Sequence, residues 1–187
     1  MIRITGGKHR GRPIETADDD AVRPTGLRAR QAVFNRLQHG LLSTGGAPLA
    51  EVRAIDLFAG SGAMGLEALS RGAEHVTFIE ADAAATRRIV RTLANFGETE
   101  HAQVIGRDCL SPPRATTPCT LVFVDPPYRS GLGPRGLAAV RRAGWIASGA
   151  IVVAEVAANE PFPAPEGFAL EEERAYGAAR MVFLRAT

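Results

Sequence analysis

Short apolar runs alternate with helix-length segments along the chain from Val52 onward. Apolar runs bounded by polar or glycine residues are typical of buried strands, and the longer segments between them are typical of helices. Strands are predicted over residues 52–58, 75–80, 102–108, 120–125 and 149–156. Helices are predicted over about residues 62–72, 83–97 and 132–144, with a shorter piece near residue 110. This alternation predicts βαβ units around a parallel sheet, and so an α/β fold.

Both ends of the chain carry hairpin patterns. Residues 1–15 read as a short strand, a glycine-rich basic turn and a returning strand, and a helix is predicted over about residues 26–39. At the other end, residues 168–176 and 180–185 are joined by Gly177 and predict a hairpin at the edge of the sheet.

The stretch TGGAP, residues 44–48, has the composition of a joint between two parts of a chain. We therefore predict an N-terminal extension over residues 1–48 and a main domain over residues 49–187.

Composition narrows the class of protein. A chain of 187 residues with 45% hydrophobic residues can bury a core. Its two cysteines and four scattered histidines predict neither a zinc site nor a disulfide. The N-terminus lacks an apolar signal region, and the apolar run AIVVAEVAA contains Glu155 and is too short to span a bilayer. We expect a cytoplasmic protein with no membrane segment and no metal.

The basic charge is concentrated at the front of the chain. Residues 1–36 hold eight Lys or Arg and four Asp or Glu, although the whole chain carries a formal charge of only +2. Such a segment is equally typical of a phosphate-binding surface and of a solvated edge.

The stretch DLFAGSGAMGLEAL contains Gly60, Gly62 and Gly65 in the pattern G-x-G-x-x-G, after a predicted strand and at the start of a helix. Glycines let the chain turn sharply and let a ligand approach the backbone. Glu80 follows Gly60 by 20 residues, at the end of the next strand, where it can accept hydrogen bonds from ribose hydroxyls. A nicotinamide dinucleotide and S-adenosylmethionine (SAM) would both fit this pattern.

Asp56, four residues before Gly60, favours SAM over a dinucleotide. A carboxylate repels a pyrophosphate but attracts the cationic amino group of SAM. Asp108, at the end of the third strand of the main domain, is a candidate acceptor for the adenine amino group, and a helix N-cap is the alternative role for it.

The motif DPPY, residues 125–128, ends the strand TLVFVD. An amino group on an aromatic base is a poor nucleophile because its lone pair is delocalised into the ring, so an enzyme must hold it with hydrogen-bond acceptors. Asp125 can supply one acceptor and the carbonyl of Pro126 another. Pro127 restricts Pro126 to an extended conformation, and the ring of Tyr128 can stack on the base. A rigid turn without chemistry is the alternative.

The motifs DLFAGSG, IEAD and VFVDPPY resemble those of class I SAM-dependent methyltransferases that act on exocyclic amines. The front segments ITGGKHRGR and RPTGLRARQAVFNRL are similar to those of the RsmD-type bacterial 16S rRNA (guanine-N2)-methyltransferases. The resemblance implies a Rossmann-like fold with a seven-stranded, mainly parallel sheet and an antiparallel last strand. It also implies SAM as the methyl donor and one guanine of 16S rRNA as the target, within the 30S subunit.

The resemblance assigns roles by position. The implied cofactor-binding residues are Asp56, Phe58, Gly60, Gly62, Glu80 and Asp108, and the implied catalytic residues are Asp125, Pro126, Pro127 and Tyr128. Within the basic front segment, the expected RNA-binding residues are Lys8, Arg10, Arg12, Arg23 and Arg28. Gln31 stands where the family often has a glutamate, and we expect the protein to act as a monomer.

Three other functions compete with this one. A DNA adenine-N6 methyltransferase would also use DPPY, but 187 residues leave no room for a sizeable DNA-recognition domain. A NAD(P)-dependent oxidoreductase would explain the glycines and Glu80 but would leave Asp56 and DPPY without a role. A ribosome-binding protein without catalysis would not need the expected active residues.

Overall fold

The computed structural model describes residues 2–17, 24–42 and 49–187. Arg23 and the joint predicted at residues 44–48 lie outside them.

The N-terminal extension begins with a small antiparallel hairpin. Strand β1 (Ile2–Arg3) pairs with β2 (Pro13–Ile14), with Ile2 opposite Ile14. Helix α1 (Pro24–Arg36) follows and continues as a π-helical turn over Leu37–Leu41. The predicted N-terminal hairpin and helix are therefore confirmed.

Seven strands form the main sheet, in the order β5-β4-β3-β6-β7-β9-β8. These are β3 (Arg53–Leu57), β4 (His75–Ile79), β5 (Ala102–Ile105), β6 (Cys119–Val124), β7 (Ile146–Ala157), β8 (Phe168–Tyr176) and β9 (Ala179–Ala186). Strands β3 to β7 run parallel, whereas β9 lies antiparallel between β7 and β8. The mainly parallel sheet with an antiparallel last strand is thus confirmed.

Three helices connect the parallel strands: α2 (Ala63–Ser70), α3 (Ala83–Phe96) and α4 (Leu132–Arg142). Helix α3 shows clear local signals at both ends. The side chain of Asp82 accepts a hydrogen bond from the backbone N–H of Ala85 at 2.7 Å, and Gly97 ends the helix in the left-handed conformation with φ 74°.

The segment after β5 differs from the prediction. The strand ends at Ile105 rather than at residue 108, and the short helix predicted near residue 110 is wrong, since Cys109 and Leu110 form a turn. Asp108 stabilises this turn by accepting a hydrogen bond from the N–H of Leu110 at 2.8 Å. Pro112 and Pro113 follow at once and supply no N–H donors, so a helix cannot propagate from the turn.

The central strands β3, β4 and β6 are buried on both faces of the sheet, which explains why they read as continuous apolar runs, whereas the edge strand β8 is mostly exposed. One face packs against α1, α2 and α3 through side chains such as Phe34, Phe78 and Phe123. The other packs against α4 through residues such as Val122 and Leu137. Within the described ranges no helix combines the length and the apolar character needed to cross a membrane.

Candidate functional site

The order of the strands creates a crevice beside β3. The chain moves outward from β3 to β4 and β5, then returns to place β6 on the other side of β3. In sheets of this kind, ligands bind at the carboxyl ends of the strands where the order reverses. Leu57 and Val124 are paired in register, and the N–H of Asp125 is 3.4 Å from the carbonyl oxygen of Leu57. The glycine loop, which is the segment of residues 58–62 between β3 and α2, and DPPY therefore begin side by side.

The loop after β3 has an unusual backbone. Phe58, Gly60 and Gly62 all have positive φ angles, of 56°, 53° and 73°. A positive φ is uncommon for a residue with a large side chain, and such conformations cluster at ligand sites. Gly65 is required for packing, because a Cβ there would lie 2.3 Å from the ring of Phe78.

Glu80 holds this loop in place. One carboxylate oxygen, Oε2, accepts a hydrogen bond from the N–H of Gly60 at 2.8 Å, and the other accepts from the N–H of Asp82 at 2.7 Å. The side chain is partly exposed. Since each carboxylate oxygen has two lone-pair sites, Glu80 can still accept hydrogen bonds from a ligand hydroxyl.

Asp56 lies beneath the same loop and is only 2% exposed. Its Oδ2 accepts a hydrogen bond from the N–H of Gly65 at 2.8 Å, in the first turn of α2. Burial raises the pKa of Asp56 to about 7, against the effect of the Gly65 hydrogen bond and with a further contribution from the charge of Glu80. Its contact with the amino group of SAM stays a prediction.

The turn after β5 closes the third side of the crevice. Asp108 is exposed there, and its role toward adenine stays a prediction. Its neighbour Cys109 is buried and lies against the loop, with the N–H of Phe58 3.3 Å from its sulfur. Burial raises the pKa of Cys109 to about 12, so this thiol is a packing group rather than a nucleophile.

The DPPY motif projects from the end of β6. Asp125 and Pro127 are exposed, Pro126 is buried, and Tyr128 is half-buried. The phenolic hydroxyl of Tyr128 donates a hydrogen bond to Oε1 of Glu155 on β7 at 2.7 Å. The crevice therefore brings DPPY together with Phe58, the glycines and Glu80.

The basic residues of the front segment lie elsewhere. The backbone N–H of Lys8 donates to the carbonyl oxygen of Ser70 at 2.7 Å, where α2 ends, and the guanidinium of Arg12 donates to the carbonyl oxygen of Asn95 at 2.7 Å, near the end of α3. These helices lead back to the first residues of β4 and β5. The hairpin is thus at the amino edge of the sheet, whereas DPPY is at the carboxyl edge.

The basic side chains differ in their intramolecular contacts. Lys8 forms an ion pair with Glu98 at 2.7 Å, and Arg12 lies over the ring of Phe96, 4.4 Å from its centroid. Arg10 and Arg28 are exposed.

The structure adds two residues to the site that sequence reasoning did not select. Glu155 contacts Tyr128, and Cys109 supports Phe58. Glu155 had a signal, because it is the single charge in the run AIVVAEVAA. Cys109 had none, because its contact with Phe58 joins residues far apart in the chain.

In the described part of the chain, no group of three or more His, Cys, Asp or Glu side chains is arranged to hold a metal ion. The fold and the crevice define a Rossmann-like methyltransferase. Comparison with known proteins agrees with this class and gives the family.

The family described as Conserved hypothetical protein 95 matches residues 2–185. Ribosomal RNA small subunit methyltransferase D of Escherichia coli (strain K12) is 36% identical over 180 residues, covering 95% of this chain and 86% of that protein. The protein of the same name from Haemophilus influenzae is 31% identical over 180 residues, covering 94% of this chain and 89% of the relative.

Solved structures show the same fold. The yhhF protein of Escherichia coli superimposes with a TM-score of 0.80 at 30% identity, covering 99% of this chain and 97% of that chain. A methylase from Haemophilus influenzae gives a TM-score of 0.78 at 27% identity, covering 99% of this chain and 98% of that chain. The chain belongs to the Conserved hypothetical protein 95 family, the RsmD family of methyltransferases, which confirms the resemblance indicated by its motifs.

Proposed function

We propose that this chain transfers a methyl group from SAM to the exocyclic N2 amine of one guanine in 16S rRNA, with the assembled 30S subunit as substrate. The protein acts as a monomer in the cytoplasm. The observation that carries the proposal is the position of the glycine loop and DPPY at the ends of two neighbouring strands, with Leu57 opposite Val124. A methyl donor bound to the glycine loop and a target amine bound to DPPY would be within reach of each other.

The residues of the crevice fit SAM. The positive φ angles of Phe58, Gly60 and Gly62 turn the backbone into an open loop that a ligand can approach closely. Glu80 offers remaining lone pairs to ribose hydroxyls, and the exposed Asp108 can accept from the adenine amino group. The cationic amino group of SAM beside Asp56 would favour the ionised form of this buried carboxyl, whose pKa is raised to about 7 by burial. When bound, SAM supplies an electrophilic methyl group on a sulfonium. A cationic ligand suits a crevice lined by these carboxylates.

DPPY holds the target amine. Asp125 and the carbonyl oxygen of Pro126 accept hydrogen bonds from the two N–H groups of the guanine amine, which directs the nitrogen lone pair toward the methyl group. With SAM bound, a nitrogen–carbon bond would form as the sulfur–carbon bond breaks, and the amine would then lose one proton. Asp125 is exposed, so that proton has a route to water.

The front segment binds RNA away from the crevice. Lys8, Arg10, Arg12, Arg23 and Arg28 are the proposed phosphate contacts. The hairpin lies at the amino edge of the sheet, so a substrate that touches both the hairpin and DPPY must extend along the whole height of the domain. A folded ribosomal particle meets this requirement more readily than a short oligonucleotide does.

The experiment offers isotopically labelled SAM together with 30S subunits, naked 16S rRNA or DNA. The modified nucleoside is then identified by mass spectrometry. We expect N2-methylguanosine from the 30S sample. Methylated adenine from the DNA sample, with no product from rRNA, would replace the proposal with the DNA alternative.

A further inference from the structure

Glu155 is placed where it can act on the target-binding motif. It lies on β7, the parallel neighbour of β6, one residue beyond the register pair formed by Val124 and Ala154. Asp125 begins DPPY one residue beyond the same pair on β6. The carboxylate of Glu155 is therefore beside the start of the motif, at the carboxyl edge of the sheet.

The carboxylate contacts Tyr128 directly. The hydroxyl of Tyr128 donates to Oε1 of Glu155 at 2.7 Å. A hydrogen bond to an ionised acceptor is shorter and stronger than one between neutral groups. Because the hydroxyl is at the far end of the ring from Cα, a contact there restricts both side-chain torsions of Tyr128.

The strand pairing of β7 does not explain this carboxylate. Glu155 is opposite Met181 on β9, and that pairing uses backbone groups alone. No Lys or Arg among the described residues forms an ion pair with Glu155, unlike the carboxylates of Glu171 and Glu173 on the edge strand β8. A partly buried carboxylate in an apolar run would be costly without a compensating contact. The Tyr128 hydroxyl supplies one.

Arg129, the residue after Tyr128, also contacts the end of β7. Arg129 has a positive φ of 58°, and its guanidinium donates to Oδ1 of Asn159 at 3.2 Å, just after β7 ends. Residues at and just after the end of β7 therefore hold both Tyr128, the last residue of DPPY, and Arg129, the residue that follows it.

We propose that Glu155 is a positioning residue for methyl transfer: it fixes the ring of Tyr128 in the orientation on which the target base stacks. This inference rests on the proposed function for the identity of the base. The inference gives the hydroxyl of Tyr128 a role that the motif alone does not indicate. Its hydrogen bond to Glu155 keeps the ring in the stacking orientation before the base binds.

The kinetic test measures single-turnover methylation of 30S subunits by four variants: Glu155→Ala, Glu155→Gln, Tyr128→Phe and the double variant Glu155→Ala with Tyr128→Phe. Glu155→Ala and Tyr128→Phe should each slow methyl transfer about tenfold. The double variant should be no slower than either, since both changes remove one contact. Glu155→Gln keeps an acceptor and should stay within about threefold of the wild type.

Two controls accompany these rates. SAM affinity should be unchanged in all four variants, because the changes lie at the ends of β6 and β7 and keep Glu80 and its hydrogen bond to Gly60. Glu171→Ala removes a comparable carboxylate, which lies on the edge strand β8 and pairs with Arg185 on β9, and this variant should methylate at the wild-type rate. Independent, multiplicative losses in the double variant would overturn the inference, and so would a wild-type rate for Glu155→Ala.

A second measurement does not depend on the RNA. The chain has two tyrosines, Tyr128 and Tyr176, so ring-labelled tyrosine gives a simple NMR spectrum. The Tyr128 ring signals should shift and broaden in Glu155→Ala but remain near their wild-type positions in Glu155→Gln. Unchanged ring signals in Glu155→Ala would refute the positioning role. A wild-type protein that methylates no guanine, with ring signals that still respond, would refute the proposed function but support positioning of Tyr128 by Glu155.

Discussion

Glu67 accepts two hydrogen bonds from Thr5, one from the backbone N–H at 2.8 Å and one from the hydroxyl at 2.6 Å. Glu67 lies on α2 and has no exposed surface. Arg71 and Arg30 complete the arrangement, with their Nε atoms 2.8 Å and 3.3 Å from its carboxylate oxygens. One buried charge thus joins the N-terminal hairpin region, α1 and the helix that follows the glycine loop.

Replacing Glu67 by Gln should destabilise the protein strongly. The change removes the charge but not the volume, and it leaves two largely buried guanidinium groups without their counter-charge. Breaking a buried ion pair in this way typically costs about 3 to 5 kcal/mol. Urea denaturation followed by circular dichroism measures the loss. Glu74→Gln is the control, since Glu74 is exposed and its ion pair with the partly exposed Arg53 is worth less than about 1 kcal/mol. Equal losses in the two variants would contradict this account.

Asp56 should make stability fall as the pH rises. The pKa of Asp56 is raised by burial from 3.8 to about 7, so between these pH values the folded state binds a proton that the unfolded state has released. Folding is therefore favoured at the acid end of this window and loses free energy toward pH 7. The free energy of unfolding of the wild type, minus that of Asp56→Asn, should decrease from about pH 4 to pH 7. A difference that stays flat over this range would show that the pKa of Asp56 is not raised, and a difference that increases would show that it is lowered.

Replacing Glu80 by Ala should weaken SAM binding about tenfold to a hundredfold. The change removes an acceptor for ribose and also releases the N–H of Gly60, and each hydrogen bond to a charged group is typically worth about 1.5 to 3 kcal/mol. Isothermal titration calorimetry measures the affinity. Asp82→Ala is the matched control, because it removes the cap of α3, about 1 kcal/mol of stability, and should leave SAM affinity unchanged. Wild-type affinity in folded Glu80→Ala would remove Glu80 from the cofactor site.

Asp125→Ala should separate catalysis from cofactor binding. The variant loses an acceptor for the target amine but keeps the glycine loop, so methyl transfer should fall by a much larger factor than SAM affinity does. Single-turnover methylation and calorimetry on the same preparation measure the two effects. Glu166→Ala, a carboxylate between β7 and β8, should change neither. An Asp125→Ala rate equal to that of the wild type would favour DPPY as a rigid turn without chemistry.

Arg10→Ala should weaken RNA binding and lower its salt dependence by about one counterion. Arg10 is exposed and pairs with no carboxylate in the described ranges, so its loss should not disturb the fold. Binding of 16S rRNA at several salt concentrations gives the slope, and SAM affinity should be unchanged. Arg174→Ala, on the edge strand β8, is the control and should leave the slope as it is. An unchanged slope for Arg10→Ala would place the RNA surface elsewhere.

The sequence by itself determined the local structure and the chemical motifs. Strands and helices follow from the spacing of apolar residues, and the glycine loop and DPPY are visible because each occupies consecutive positions. The resemblance to the RsmD family depends on the same contiguous motifs. The sequence also indicated where the hairpins lie at the two ends. The error near residue 110 came from a helix-like pattern in a segment whose following prolines do not allow propagation.

Only the tertiary structure decided which of these pieces meet. The pairing of β3 with β6 places the loop beside DPPY, while the packing of the hairpin on the ends of α2 and α3 puts Lys8 and Arg12 at the opposite edge. The contacts of Glu67 with Thr5 and of Glu155 with Tyr128 join residues 62 and 27 positions apart. Contacts of this kind leave no periodic signal in the chain, because they depend on how the elements are packed together and not on the spacing of residues within any one of them.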